Sequence, residues 1–228
     1  ILKQNADLYR RLRNTFRYLL GNLNDFSEKE KLDYEKLPEL ERWILHRLWQ
    51  IDTQIRELSK IYDFNGIFNL LHNFCSNDLS AFYFDIRKDS LYCDGVNDVT
   101  RRSSRTVLDE LFNHLVRWLA PIICFTAEEA WLCRYPSEKD SIHYKNFLKV
   151  SEKWKDENLD RKWNSVRLIR RAVTSAIEKE RSEKRIGSSL QAHPIVTGGS
   201  QLIDDCQGVD MAEVCITSFL SLKKNVEM

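Results

Sequence analysis

Apolar residues return every three or four positions along most of this chain, and that period commits it to amphipathic helices packed on one another. Leu8, Leu12, Phe16, Leu19 and Leu23 predict a first helix over residues 2–23. Pro38 opens a second, at the position where a missing N–H costs nothing, with Leu40, Trp43, Ile44, Leu48, Ile51 and Ile55 on one face. After Asn65-Gly66 a third runs through Ile67, Leu71, Phe74, Asp78 and Phe82 towards Ile86. A loop at Cys93-Asp94-Gly95 precedes a fourth over 98–119, and Pro121 breaks the pattern before a short helix that ends at Trp131. Residues 134–153 read as irregular. A last long helix spans 156–184, with Leu159, Trp163, Val166, Ile169, Val173 and Ile177 facing inwards, and Gly187 stops it.

Seven glycines and four prolines in 228 residues suit such helices, whereas a β-rich fold with many tight turns would want more. Short connectors favour antiparallel neighbours. The expected fold is therefore mainly α: an up-down helical bundle over 1–187, then a small mixed α/β appendage over 188–228, truncated at its C-terminus. His193 to Thr197 reads there as a short strand and Gly198-Gly199-Ser200 as a turn. Ile1 falls inside a helical pattern, which suggests a piece of a longer chain.

Net charge is +1, so global charge does not point to a polyanion, but its distribution does. Residues 1–24 set Lys3, Arg10, Arg11, Arg13 and Arg17 against Asp7 alone, and residues 161–185 set nine bases against three acids. Two basic helices suit a localised nucleic-acid surface; solvated faces laced by neighbouring charges are the other reading. The six cysteines are scattered, without metal-ligand spacing, and fit reduced thiols in a cytosolic protein. Cys75 and Cys124 lie in apolar runs and are expected to be buried. There is no signal peptide pattern, and no apolar run approaches the ~18 residues of a membrane span.

Catalytic motifs are missing: no G-x-G-x-x-G, no G-x-x-x-x-G-K-[ST], no G-x-S-x-G and no H-E-x-x-H. Glu128 and Glu129 are adjacent, so on a helix they point about 100° apart and do not converge on one atom. Favourable charge in a helix's first turn is their expected role.

Three stretches carry a family resemblance. Tyr9-Arg10-Arg11-Leu12-Arg13-Asn14-Thr15-Phe16-Arg17-Tyr18-Leu19-Leu20-Gly21-Asn22-Leu23 resembles the helix that leaves the catalytic core of isoleucyl-tRNA synthetases, where Y-R-R-x-R-N-T-x-R-[FY]-L-L-x-N-L is characteristic. Tyr62-Asp63-Phe64, Phe74-Cys75-Ser76 and the run from Phe82 to Tyr92 are similar to Y-D-F…F-C-S…F-Y-x-D-x-x-K-D-R-x-Y, with Ser90 where Arg is usual. Arg101-Arg102-Ser103, Arg117-Trp118-Leu119-Ala120-Pro121-Ile122 and Phe125-Thr126-Ala127-Glu128-Glu129-Ala130-Trp131 match R-R-S…R-W-[ML]-A-P-[IL]-x-x-F-T-A-[ED]-E-x-W. A weaker echo, Lys184 to Ala192, is similar to [KR]-x-[IV]-G-x-S-L-E-A, with Gln191 for Glu. Together they cover most of residues 1–192.

The resemblance implies the anticodon-binding bundle of an isoleucine-tRNA ligase, gripping the anticodon stem-loop of the isoleucine acceptor tRNA. It implies catalytic and editing domains elsewhere in the same parent chain, with ATP, magnesium and zinc belonging to the full-length enzyme and no cofactor here. It also implies a monomer, in the cytoplasm and off the membrane. His46 lacks the His-x-Gly-His spacing of such enzymes, and Lys184 to Ser189 has the wrong order for their KMSKS loop, so the piece alone is expected to be inactive. The alternatives are a helical protein-interaction module without RNA binding and the same domain of a valyl or leucyl enzyme. The candidate tRNA contacts are Lys88 first, with Arg87 beside it, then Arg10, Arg13 and Arg17 at i, i+3 and i+7 on the first helix. Arg167, Arg170, Arg171 and Lys179 on the last long helix complete the set. Arg117-Trp118 reads instead as helix–helix packing.

Overall fold

The computed structural model describes residues 2–225, and contacts divide the chain into two compact units, 1–155 and 156–228. The expected helices are present: α1 Leu2–Asn22, α2 Glu39–Lys60, α3 Phe64–Asn73, α4 Phe84–Cys93, α5 Val99–Leu119, α6 Cys124–Arg134 and α7 Glu157–Ser182. The third expected helix is more complex than its period suggested. Between α3 and α4 lies a π-helical segment, Phe74–Tyr83, so residues 64–93 form one rod with a widened middle. Its buried residues come in pairs four apart, Phe74/Cys75, Asp78/Leu79 and Phe82/Tyr83. That step suits the broader i→i+5 turn better than the 3.6-residue turn of an α-helix.

In the first unit α5 is the central element, buried along most of its length from Ser103 to Leu119. Around it close Leu12, Phe16 and Leu19 of α1, Trp43, Ile44, Leu48, Ile51 and Ile55 of α2, and the inner face of the α3–α4 rod. Each such side chain contributes about 1.5–3 kcal/mol by leaving water. The carbonyls at the end of α1, which have no partner within the helix, are met by arginines. Arg105 donates to Asn22 O at 3.1 Å and Asn24 O at 2.6 Å, and Arg134 to Leu23 O at 3.0 Å. Arg101 reaches Leu91 O at 3.3 Å, closing the far end of α4. Asp98 caps α5 by accepting from Thr100 N and Arg101 N. The stretch after α6 is a strap of short 3₁₀ turns, Ile142–Tyr144 and Glu152–Trp154.

The second unit differs from the expected division at 187/188. Here α7 packs on α8 (Ser200–Asp205) and α9 (Met211–Cys215), because its buried face, Leu159 to Ile177, meets Ile203, Met211, Val214 and Cys215 of the unit's own small core. Strands β1 (Ile195–Gly198) and β2 (Ser221–Lys224) pair in parallel, which gives the expected mixed α/β character. Gly187 does not end α7. The left-handed residue is Lys184, φ 57°, and Arg185 N donates to Glu180 O at 3.0 Å across the turn. Tyr62, φ 57°, closes α2 in the same way, with Asp63 N donating to Leu58 O at 3.0 Å.

Candidate nucleic-acid interface

On α1 the buried leucines claim one side, which leaves Arg10, Arg13 and Arg17 along the other, all exposed. They form one wall of a groove with Asn14, opposite Thr126, Glu129 and Cys133 of α6. Tyr9 and Thr126 hydroxyls bond at 2.7 Å and tie the two helices at one end. Arg10 lies 3.2 Å from Asp7 and Arg13 3.9 Å from Glu129, both in water, where such pairs contribute little and compete weakly with a phosphate. Arg17 has no ion-pair partner among the described residues.

The cations of α4 part company. Lys88 is 42% exposed and pairs with Asp85 at 3.0 Å, one turn back on the same helix. Arg87 is a correction. Its side chain is 5% exposed and grips Glu41, itself wholly buried, through Nε at 2.6 Å and Nη2 at 2.9 Å. Tyr83 Oη at 3.3 Å and Ser104 Oγ at 3.2 Å complete the carboxylate's shell. Burial, then the Glu41 charge, pushes the Tyr83 hydroxyl well above its ordinary value, so it stays a donor. Arg87 fixes α4 to α2 and cannot meet a ligand.

The second unit shows the same split. Arg171 and Lys179 are exposed and Arg167 is half-buried on α7. Arg170 is a second correction: it is buried at 6% exposure and donates to Val214 O, which anchors α9. One residue of phase separates Arg170 from Arg171 on the helix, and with about 100° per residue that suffices to turn one inwards.

Other expectations resolve here. Arg117 lies over the Trp131 ring at 5.0 Å and Trp118 is buried, as helix–helix packing requires. Cys75 is buried, but Cys124 is exposed, because it is the first residue of α6 and sits beyond the break at Pro121. Glu128 works outside its own helix, accepting from Ser141 Oγ at 2.9 Å and Ile142 N at 3.0 Å to hold the strap. Among the described residues no three His, Cys, Asp or Glu side chains come together as metal ligands. Among the same residues no helix is long and apolar enough to cross a membrane.

Sequence reasoning passed over Tyr92 and Asn14. Tyr92 lies in the last turn of α4 at 67% exposure, and both residues line a second cleft on α1 with Arg17 and Asn22. The available signal was phase: Leu91 takes the apolar face, which leaves a large ring beside it with nowhere to bury.

Residues 41–196 match the model of the anticodon-binding domain of tRNA ligase. The isoleucine–tRNA ligase of Pelagibacter ubique is 48% identical over 221 residues, covering 96% of this chain and 24% of the relative. That of Agrobacterium fabrum is 47% identical over 223 residues, 97% of this chain and 23% of the relative. That of Gluconobacter oxydans is 46% identical over 218 residues, 96% and 23%. The chain thus spans about a quarter of the length of the curated relatives it matches.

Proposed function

Because the chain belongs to the anticodon-binding domain family of tRNA ligases, we propose that it holds the anticodon stem and loop of an isoleucine-accepting tRNA for an isoleucine–tRNA ligase. The ATP-dependent joining of amino acid to RNA, and the hydrolysis of mischarged product, then belong to other parts of a longer parent chain. The relatives' printed activity and the Tyr9–Leu23 motif support isoleucine over valine or leucine.

The observation that carries RNA binding is the line of Arg10, Arg13 and Arg17, exposed on one edge of α1 above a groove. Steps of three and four residues put about 5 Å between neighbours along the helix axis, close enough for guanidinium forks to take consecutive phosphates of one strand. Each neutralised phosphate releases counterions, so affinity falls with salt in proportion to the contacts made. Lys88, Arg167, Arg171 and Lys179 are further exposed or half-exposed cations that can add to this term.

The test is gel-shift or anisotropy titration of the chain with isoleucine tRNA at several salt concentrations. Wild type should bind with a marked salt slope, and joint substitution of Arg10, Arg13 and Arg17 by Gln should reduce that slope by roughly 2–3. Salt-insensitive or absent binding would sink the reading. Competition by tRNAs with altered anticodons tests the isoleucine assignment separately.

A further inference from the structure

The second unit holds a sheet that its own residues leave unfinished. Among the described residues β1 and β2 form a two-stranded parallel sheet with no third strand. Parallel strands occur almost only in sheets covered on both faces, and two strands alone hold together poorly in water. Side chains alternate along each strand, and the register sets Val196 beside Leu222 and Gly198 beside Lys224. Theirs is the covered face. A Cβ on Gly198 would come within 3.2 Å of Leu202, and Lys224 lies 2.7 Å from Asp204, both on α8. The opposite face carries His193, Ile195 and Thr197 next to Phe219, Ser221 and Lys223. His193 Nε2 and Ser221 Oγ lie 3.1 Å apart, and the His193 and Phe219 rings neighbour each other at 5.7 Å. This second face is left in water, with Ile195 59% and Phe219 67% exposed.

The edge of β1 is open as well. Ser221 N donates to Pro194 O at 3.0 Å and Asn225 N to Gly198 O at 2.9 Å, so the even-numbered residues turn their backbone groups to β2. By alternation Ile195 and Thr197 turn their N–H and C=O outwards. Pro194 does not guard that edge, since its missing N–H would have faced β2. Exposed edges are ordinarily blunted by charge, lysine above all. β2 has Lys223 and Lys224, whereas Ile195–Gly198 has no charged residue. An uncharged edge beside an uncovered apolar side chain fits an added strand, which gains main-chain bonds from the edge and a side-chain contact from Ile195. The chain covers 24% of the Pelagibacter ubique relative, so most of a parent of that length lies outside it. A strand in the same parent acts at high effective concentration, whereas a second copy must be found from solution.

We propose that β1 is completed along its open edge by a β-strand from another part of the parent chain, hydrogen-bonded to Ile195 and Thr197 and laying an apolar side chain over Ile195. This rests on the reading of the chain as one part of a longer ligase, and not on its RNA contacts. The test compares amide hydrogen exchange, residue by residue, in the 228-residue chain and in the full-length ligase that contains it. The Val196 and Gly198 amides, which face β2, should be slow in both. Ile195 and Thr197 should exchange freely in the chain alone and about tenfold more slowly in the full-length protein, near the upper range for one added hydrogen bond. Thr197→Pro removes an N–H that β2 does not use. The urea midpoint of the chain alone should therefore stay unchanged, while Ile195 of the full-length variant returns to fast exchange. Equal exchange of Ile195 and Thr197 in the two wild-type proteins overturns the proposal, a comparison that needs no variant to fold. Dimers of the chain alone that Thr197→Pro abolishes would give the edge to a second copy and overturn it likewise. The salt slope of tRNA binding should be the same for wild type and Thr197→Pro, so failure of the strand and failure of the RNA reading are seen separately.

Discussion

Arg87 and Glu41 meet through two bonds, Nε at 2.6 Å and Nη2 at 2.9 Å, in a part of the helical core that excludes water. A buried pair of this kind is strong evidence of mutual dependence, since removing one partner leaves the other charged and unpaired in low dielectric. Arg87→Ala should therefore lower the unfolding free energy by about 3–5 kcal/mol, read by urea denaturation. Below its own unfolding transition the variant should keep the salt slope of RNA binding. A lost slope with unchanged stability would mean that Arg87 faces ligand after all.

Thiol reactivity follows the burial pattern. Burial pushes the Cys75 thiol up to about 12 and the Cys215 thiol up to about 11. Cys93, Cys124 and Cys133 are exposed, whereas Cys75, Cys206 and Cys215 are buried. A disulfide reagent at neutral pH should titrate three thiols quickly and the other three only on unfolding. Rapid labelling of Cys75, located by mass spectrometry, would contradict the packing of the π-helical segment.

His114 should make stability fall in mild acid. It is buried on α5, with Nδ1 bonded to Glu110 O at 2.8 Å and Nε2 without a hydrogen-bond partner among the described residues. Burial holds its pKa below the ordinary 6.5, opposed by the Glu110 bond and by the charges of Glu110 and Asp52, and Arg117 lowers it further. The unfolded chain therefore takes up the proton first. Stability is fully present above about pH 6.5 and is lost as pH drops from there towards the folded value. Urea midpoints across this range should slope for wild type and flatten for His114→Gln. Equal slopes would assign the effect to other groups.

At Lys184 the chain accepts a left-handed conformation with a side chain present. That costs roughly 1–2 kcal/mol, against the ~0.5–1 kcal/mol by which glycine's extra freedom penalises folding. Lys184→Gly should raise stability by up to about 1 kcal/mol in thermal or urea unfolding. A loss of stability would show that the lysine makes contacts worth more than the strain.

The helices were legible because a buried leucine every third or fourth residue leaves little freedom to any other structure; α1, α2 and α5 sit within a residue or two of their expected bounds. The helix ends were less so. Gly187 signalled the stop of α7, yet Lys184 provides it, and Tyr62 and Ile216 take left-handed positions that sequence rules reserve for glycine. The low glycine count thus understated the sharp helix ends, because packing around each end outweighs a local preference. In the candidate site the exposed arginines of α1 could be read from phase alone, since Leu12, Phe16 and Leu19 claim the opposite face. Arg87 and Arg170 could not, because their burial depends on Glu41 and Val214, which are distant in sequence and have no local signature.

The widened middle of the α3–α4 rod sets how its two halves are clocked. Rewinding Phe74–Tyr83 as ordinary α-helix with all its residues kept would overwind the rod, because each i→i+5 turn holds more residues than an α turn. The face carrying Lys88 and Tyr92 would then turn away from α1, and Arg87 would leave Glu41. The wide turns of that segment therefore act as a gear, indexing the outer end of the bundle to its core, and natural variants should keep its length matched to its winding, a lost residue going with a return to α-helix.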